Sequence, residues 1–167
     1  GTVMSNLGFI LMGQKHGVNI EQANVGDRYV LEKMINGGFN IGGEQSGHII
    51  FLDDNTTGDG VLTAIKVLTV LKESGKKASE LAKVMESLPQ VLVNARVNNA
   101  KKNTFMEVSE IREAIERVKE LFAGEGRVLI RTSGTEPLVR VMIEGKNIEL
   151  MNNEANKLAL LIEKKLQ

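Results

Sequence analysis

Apolar residues recur along this chain with two periods, and the points where one period yields to the other predict its elements. Residues 2–4 read as the end of a strand. Ser5 or Asn6 can then cap a helix that carries Leu7, Ile10 and Leu11 on one face, with Gly17 where a left-handed C-terminal residue belongs. Residues 18–25 read as a second strand. Gly26 turns the chain into a helix through Val30, Leu31 and Met34, which Asp27 is placed to cap and which stops at Gly37-Gly38. Residues 39–43 and 48–52 are two apolar runs around the polar insert Glu44-Gln45-Ser46-Gly47, the pattern of two strands joined by a tight turn. After a polar loop at 53–60, Thr57 or Asp59 can cap a helix through Leu62, Ile65, Val67, Leu68 and Leu71, closed by Gly75. Ser79 then opens a shorter helix that ends before Pro89.

Pro89 marks a boundary, because proline restricts the residue before it and cannot continue a helix. Beyond it, Val91, Val93, Ala95 and Val97 alternate as a half-buried strand. Val108, Ile111, Ile115, Val118 and Phe122 share one helical face, and residues 127–132 and 138–145 read as strands around a turn at 133–137. A last helix, capped by Asn147, places Met151, Ala155, Leu158 and Ile162 together. Strand, helix, strand, strand, helix is a compact α+β unit, whereas the first segment alternates strands, glycine turns and helices as α/β proteins do.

Composition sharpens this division. Of 17 glycines, twelve lie in the first 60 of the 167 residues, and all four aspartates (Asp27, Asp53, Asp54, Asp59) precede position 61. The 21 basic residues equal the 21 acidic ones. Zero net charge and 4% aromatics disfavour nucleic-acid binding, and a membrane surface equally lacks the basic excess that would draw it, so any anion site must be local. The chain has no cysteine, no apolar run near the roughly 18 residues of a membrane span, and no secretory leader pattern. The expectation is a cytoplasmic protein. The acidic loop at 53–59 lacks calcium-loop spacing, and no metal ligand is assigned.

Two stretches could carry chemistry. Arg131-Thr132-Ser133-Gly134-Thr135-Glu136-Pro137, with Arg140 beyond it, gathers three hydroxyls, a glycine open to close approach and two guanidiniums. A phosphate wants short charge-assisted donors, and a turn adds backbone N–H groups. It is not a Walker loop, since no Gly-Lys-Ser/Thr is present and a strand follows. A hairpin turn with an arginine at each end accounts for the same letters. In Gly42-Gly43-Glu44-Gln45-Ser46-Gly47-His48, a carboxylate can accept two neighbouring sugar hydroxyls and an imidazole can hold a donor or take a proton near neutral pH. A common Ser-Gly turn beside a strand explains that stretch too. Gly26-Asp27-Arg28 reads most simply as a helix cap with a surface arginine.

Taken in order, Gly43-Glu44-Gln45-Ser46-Gly47-His48, Thr57-Gly58-Asp59-Gly60 and Arg131-Thr132-Ser133-Gly134-Thr135-Glu136-Pro137 resemble the α-D-phosphohexomutases. Val25-Gly26-Asp27-Arg28-Tyr29-Val30 and Thr2-Val3-Met4-Ser5-Asn6 are most similar to the bacterial branch acting on glucosamine phosphates. The resemblance implies an enzyme of four domains around a cleft that interconverts glucosamine 6-phosphate and glucosamine 1-phosphate, supplying amino-sugar nucleotide for cell-wall synthesis. A phosphoserine donates the phosphoryl group, Mg2+ assists, and glucosamine or glucose bisphosphate serves as intermediate and primer. Only the third and fourth domains are matched. The implied fold is α/β plus α+β: a partial three-layer α/β/α sugar-binding domain over residues 1–88, then a smaller α+β phosphate-binding domain over 89–167, an antiparallel sheet packed with two helices.

By the same resemblance, Glu44, Ser46, Asp27 and Arg28 would bind substrate, with His48 near the reacting hydroxyl as the catalytic group. Arg131, Ser133, Gly134, Thr135 and Arg140 would hold the phosphate not being transferred. No match exists here to the family's phosphoserine loop or magnesium loop, so the expectation is a C-terminal fragment, inactive alone, whose partners are a phosphosugar and the missing N-terminal half. The resemblance also raises a homodimer of the full-length protein. The alternatives are a phosphomannomutase- or phosphoglucomutase-type relative, or a stand-alone phosphosugar-binding module. The abruptly cut first strand favours the fragment.

Overall fold

The computed structural model describes every residue from Gly1 to Gln167, and the contacts divide the chain into two units, Gly1–Ser87 and Leu88–Gln167. No helix is long and apolar enough to cross a membrane.

The first unit begins with α1 (Leu7–His16). The Asn6 side chain accepts the Gly8 N–H at 3.0 Å, and Gly17 closes the helix in the left-handed region at φ 67°. The strand expected over residues 18–25 does not form as a ladder. A strand needs an extended neighbour, and the one this segment finds is residues 1–3, giving a single parallel bridge, Thr2 to Ala23, with the Val3 N–H donating to Ala23 O at 2.9 Å. Helix α2 (Asp27–Gly37) follows. Its cap is Gly26, not Asp27. The aspartate is the first helical residue, and its Oδ1 accepts the Arg28 N–H at 2.7 Å.

Strands β1 (Ile41–Gly43) and β2 (Ile49–Phe51) pair antiparallel as the expected hairpin. Gly42 is required there, because a Cβ would collide with Met34 Sδ and Val30 Cγ1 on α2. Val30, Met34, Ala23 and Ile50 form the small buried core beneath it. Helix α3 (Gly60–Ser74) is capped by Asp59 Oδ1, which accepts the Leu62 N–H at 2.9 Å. Helix α4 (Ala78–Leu81) starts one residue before Ser79, with Lys77 as its cap. The Glu80 carboxylate accepts the Lys77 N–H at 3.3 Å, which fixes that start.

The second unit follows its pattern more closely. Strand β3 (Gln90–Arg96), helix α5 (Ser109–Leu121), strands β4 (Arg127–Thr132) and β5 (Leu138–Glu144) and helix α6 (Ile148–Leu166) make a three-stranded antiparallel sheet, order β3-β5-β4, packed with two helices. A 3₁₀ segment, Lys102–Glu107, which the apolar pattern does not announce, lies between β3 and α5. Val139, Val141 and Ile143 of β5 join Ile111, Ile115 and Val118 of α5 and Met151, Ala155 and Ile162 of α6 in one core. Side chains alternate along a strand, so Arg140, Met142 and Glu144 project from the opposite face. Register then arranges that face in rows: Arg127, Glu144 and Gln90; Leu129, Met142 and Leu92; Arg131, Arg140 and Asn94.

Ile115 is 1% exposed at the centre of this core. Ile115→Ala should cost about 2–5 kcal/mol of stability, read as an earlier urea midpoint for the second unit's amide resonances than for those of the first. Glu154, buried on α6, bonds Lys157 Nζ at 2.9 Å and Arg117 Nη2 at 2.8 Å. The lysine bond, and then the arginine, hold its carboxyl below the usual glutamate range against burial, which acts to raise it. The stabilisation is therefore full above the unfolded value near 4.3 and is lost as pH falls through the folded one. Between about pH 5 and pH 2, the stability of Glu154→Gln should fall less steeply than that of the parent chain in acid titrations followed by circular dichroism.

Candidate functional site

Each unit assembles its own cluster. In the first, the tight turn from β1 to β2 is closed by the Glu44 N–H donating to His48 O at 2.9 Å and the Gly47 N–H to Glu44 O at 3.0 Å. Gly47 takes φ 99°, a conformation that a side chain resists. This geometry places Glu44, Ser46 and His48 together: Ser46 Oγ lies 3.2 Å and Glu44 Oε2 3.8 Å from His48 Nδ1. Glu44 Oε1 accepts the Gly26 N–H at 2.8 Å, joining the hairpin to the start of α2. Glu44 Oε1 is therefore engaged within the protein, while Oε2 faces His48 Nδ1. Nδ1 of His48 faces Ser46 and Glu44, on a side chain 62% exposed. The loop before α3 returns here as well, since a Cβ on Gly58 would lie 3.5 Å from His48 Cβ. Asp27 and Arg28 stand exposed at the first turn of α2, beside Gly26, and neither side chain bonds the Glu44, Ser46 and His48 group.

The second cluster surrounds the turn between β4 and β5. Register sets Arg131 directly opposite Arg140. Like charges facing across an antiparallel pair are destabilising, and here both guanidiniums have a buried Nε atom with no hydrogen-bond partner. Burial, and then the Arg140 charge, lower the pKa of Arg131 below its ordinary value. One carboxylate answers them: Glu136 Oε2, 2.8 Å from Arg140 Nη2, on a side chain 52% exposed. Two rows along the same face, Arg127 is matched quite differently, with its Nε and Nη2 each 2.7 Å from Oε2 of a fully buried Glu144. The Arg131 and Arg140 row has no such internal anion.

Ser133 is buried, and its hydroxyl serves the loop itself: Oγ accepts the Glu136 N–H at 3.3 Å and lies 3.5 Å from Glu136 Oε2. Its N–H closes the turn on Leu138 O at 2.9 Å. Gly134 and Thr135 are exposed, and neither N–H bonds another group of the chain. Two further groups shape this loop that sequence reasoning did not reach. Glu136 pairs with Arg140, and Lys102 Nζ, 31 residues upstream of Ser133, donates to Ser133 O at 2.9 Å and to Glu136 O at 3.4 Å. No short-range pattern signals a contact of that span. Chemically the cluster combines two facing cations with free backbone donors, a set suited to a tetrahedral dianion.

Comparison with known proteins places these clusters in context. Residues 1–88 match the description "Phosphoglucomutase/phosphomannomutase, alpha/beta/alpha domain III", and residues 92–161 match the C-terminal domain of the same proteins. Proteins named phosphoglucosamine mutase from Thermoanaerobacter sp. (strain X514) and Ruminiclostridium cellulolyticum are each 59% identical over 165 residues, 99% of this chain. The chain spans 37% of the length of those relatives. Among solved structures, N-acetylphosphoglucosamine mutase of Aspergillus fumigatus superposes on 98% of this chain and 37% of its own with a TM-score of 0.80 at 18% identity. The same enzyme in complex with GlcNAc-6P and magnesium gives a TM-score of 0.77 at 16% identity, over 99% of this chain and 38% of its own. Such identities speak for the fold, and the two domain matches cover nearly all of the sequence. The chain belongs to the phosphoglucomutase/phosphomannomutase family, of which it carries the α/β/α domain III and the C-terminal domain.

Proposed function

We propose that this chain is the substrate-holding part of an enzyme that interconverts glucosamine 6-phosphate and glucosamine 1-phosphate. The second unit grips the phosphate not being transferred, and the first recognises sugar hydroxyls. The observation that carries this reading is the Arg131 and Arg140 pair, two guanidiniums set face to face with buried, unpartnered Nε atoms beside the free N–H groups of Gly134 and Thr135. A phosphate monoester supplies the missing charge and the missing acceptors together. Ser133 contributes by holding the loop in shape. The 59% identity to proteins named phosphoglucosamine mutase supports the amino-sugar substrate over other hexose phosphates of the family.

Glu44 and Ser46 are placed to meet ring hydroxyls, with Asp27 and Arg28 as exposed groups beside them. His48 is placed to orient the reacting hydroxyl or accept its proton. Holding the remote phosphate fixes the opposite end of the sugar for in-line attack, so binding energy from a non-reacting group is used at the reacting centre. A sugar that carries phosphate at either end must bind in two orientations. An anion clamp with a few hydroxyl acceptors tolerates both better than a shape-specific pocket does. The phosphoryl donor would lie outside these two units, and glucosamine or glucose bisphosphate would be intermediate and primer. No group of three or more His, Cys, Asp or Glu side chains is placed to hold a metal ion. The roles given to this chain use no Mg2+.

Titration of glucosamine 6-phosphate into the chain, followed by amide resonances, should show shifts at residues 131–140 and at 44–48, with a Kd of about 1 mM, or about −4 kcal/mol. Arg131→Ala should remove the first set. Silence in both loops at about 30 mM ligand would sink the assignment. In an active enzyme containing both units, Arg131→Ala should raise KM and lower kcat together. The combined loss in kcat/KM should be about 100-fold, or ~3 kcal/mol.

A further inference from the structure

We propose that Lys102 is the positioning residue of the anion loop, fixing the separation of the loop's two ends so that the Gly134 and Thr135 N–H groups between them can serve as donors to a phosphate. This rests on the reading of residues 133–137 as a phosphate loop. A turn of this length offers an anion as many repulsive carbonyl oxygens as attractive N–H groups, so its worth depends on which of them are engaged elsewhere.

The engagement here is uneven. The Ser133 N–H is used on Leu138 O, and the Glu136 N–H on Ser133 Oγ at 3.3 Å. Pro137 has no N–H to give, and its carbonyl accepts the Val97 N–H at 3.0 Å. Ser133 O and Glu136 O, at the two ends of the turn, both face the one Lys102 ammonium, at 2.9 and 3.4 Å, and Glu136 O also accepts the Leu138 N–H at 2.8 Å. A lysine has three N–H donors and no acceptor, so one side chain can span both carbonyls and set the separation of the loop's ends. Gly134 and Thr135, between those ends, have neither N–H nor C=O engaged, so the spacing of the ends decides which of these groups an anion meets. The ammonium also adds a third positive charge to Arg131 and Arg140 against the single carboxylate of Glu136. Lys102 is half-buried on the 3₁₀ segment Lys102–Glu107, whose Phe105 packs against the second unit's core. Its anchor is thus separate from the strands that carry the arginines.

The test is titration of inorganic phosphate into the 167-residue chain and its Lys102→Met and Lys102→Arg variants, followed by the Gly134 and Thr135 amide resonances, with a thermal midpoint for each protein. Lys102→Met should weaken phosphate binding about tenfold at a near-parental midpoint. Lys102→Arg, which keeps the charge and can reach both carbonyls, should restore most of the affinity. Equal affinity in Lys102→Met and the parent overturns the role of Lys102 while the phosphate loop stands. So does a loss that merely follows a lowered midpoint, or one that arginine leaves unrestored. A parent chain that shows no phosphate-dependent shift at either amide overturns the phosphate loop and, with it, this inference.

Discussion

Two arginines facing each other across a β-ladder are the constraint around which the second unit's site is organised. Antiparallel register sets Arg131 opposite Arg140, at a spacing where like charges repel. The sheet holds them there because Val139, Val141 and Ile143 on the other face of β5 are locked into the helical core. A one-residue slip would turn the arginines inward and the valines outward, at the cost of the whole core contact. The energy that keeps the cations together thus comes from apolar burial on the far side of the same strands. Their repulsion stays available to be relieved by an anion.

The same face shows how such a cation is treated when it is structural. Arg127 meets a buried Glu144 through two short bonds, and Gln90 takes that carboxylate's other oxygen at 3.1 Å. Both oxygens of the buried carboxylate thus have partners, as buried ionic groups require. Arg131 and Arg140 differ only by two rows along the strands, and there the balance is left incomplete, with buried Nε atoms and one half-exposed carboxylate. Glu136 is the carboxylate in contact with Arg140, at 2.8 Å.

The first unit uses a different device. Glu44 links two loops that are far apart in sequence, taking the Gly26 N–H with one oxygen and facing His48 with the other. One side chain thereby fixes the start of α2 against the hairpin and keeps a carboxylate oxygen beside an imidazole and a hydroxyl. Glycines permit this arrangement: Gly42 lets the hairpin lie against α2, and Gly47 turns the chain back so that His48 stands above Glu44.

Much of this was legible in the letters. Period-two and period-3.6 patterns located β4, β5, α5 and α6 closely, Asn147 announced its cap, and Asn6 and Asp59 were each one of two candidates for theirs, because these signals depend on neighbours a few residues away. Chemistry-rich stretches at 43–48 and 131–137 were visible for the same reason. The strand at 18–25 failed because a ladder depends on a partner that local pattern does not supply, and Asp27 gave up the cap to Gly26 once Glu44 took the Gly26 N–H. Only the tertiary structure set Arg131 beside Arg140 with their Nε atoms unpartnered and brought Lys102 onto the carbonyls of Ser133 and Glu136. Sequence determines which cationic and turn residues the chain carries; the register of two strands and one long-range lysine decide how they are grouped, since both are fixed by contacts between segments remote along the chain.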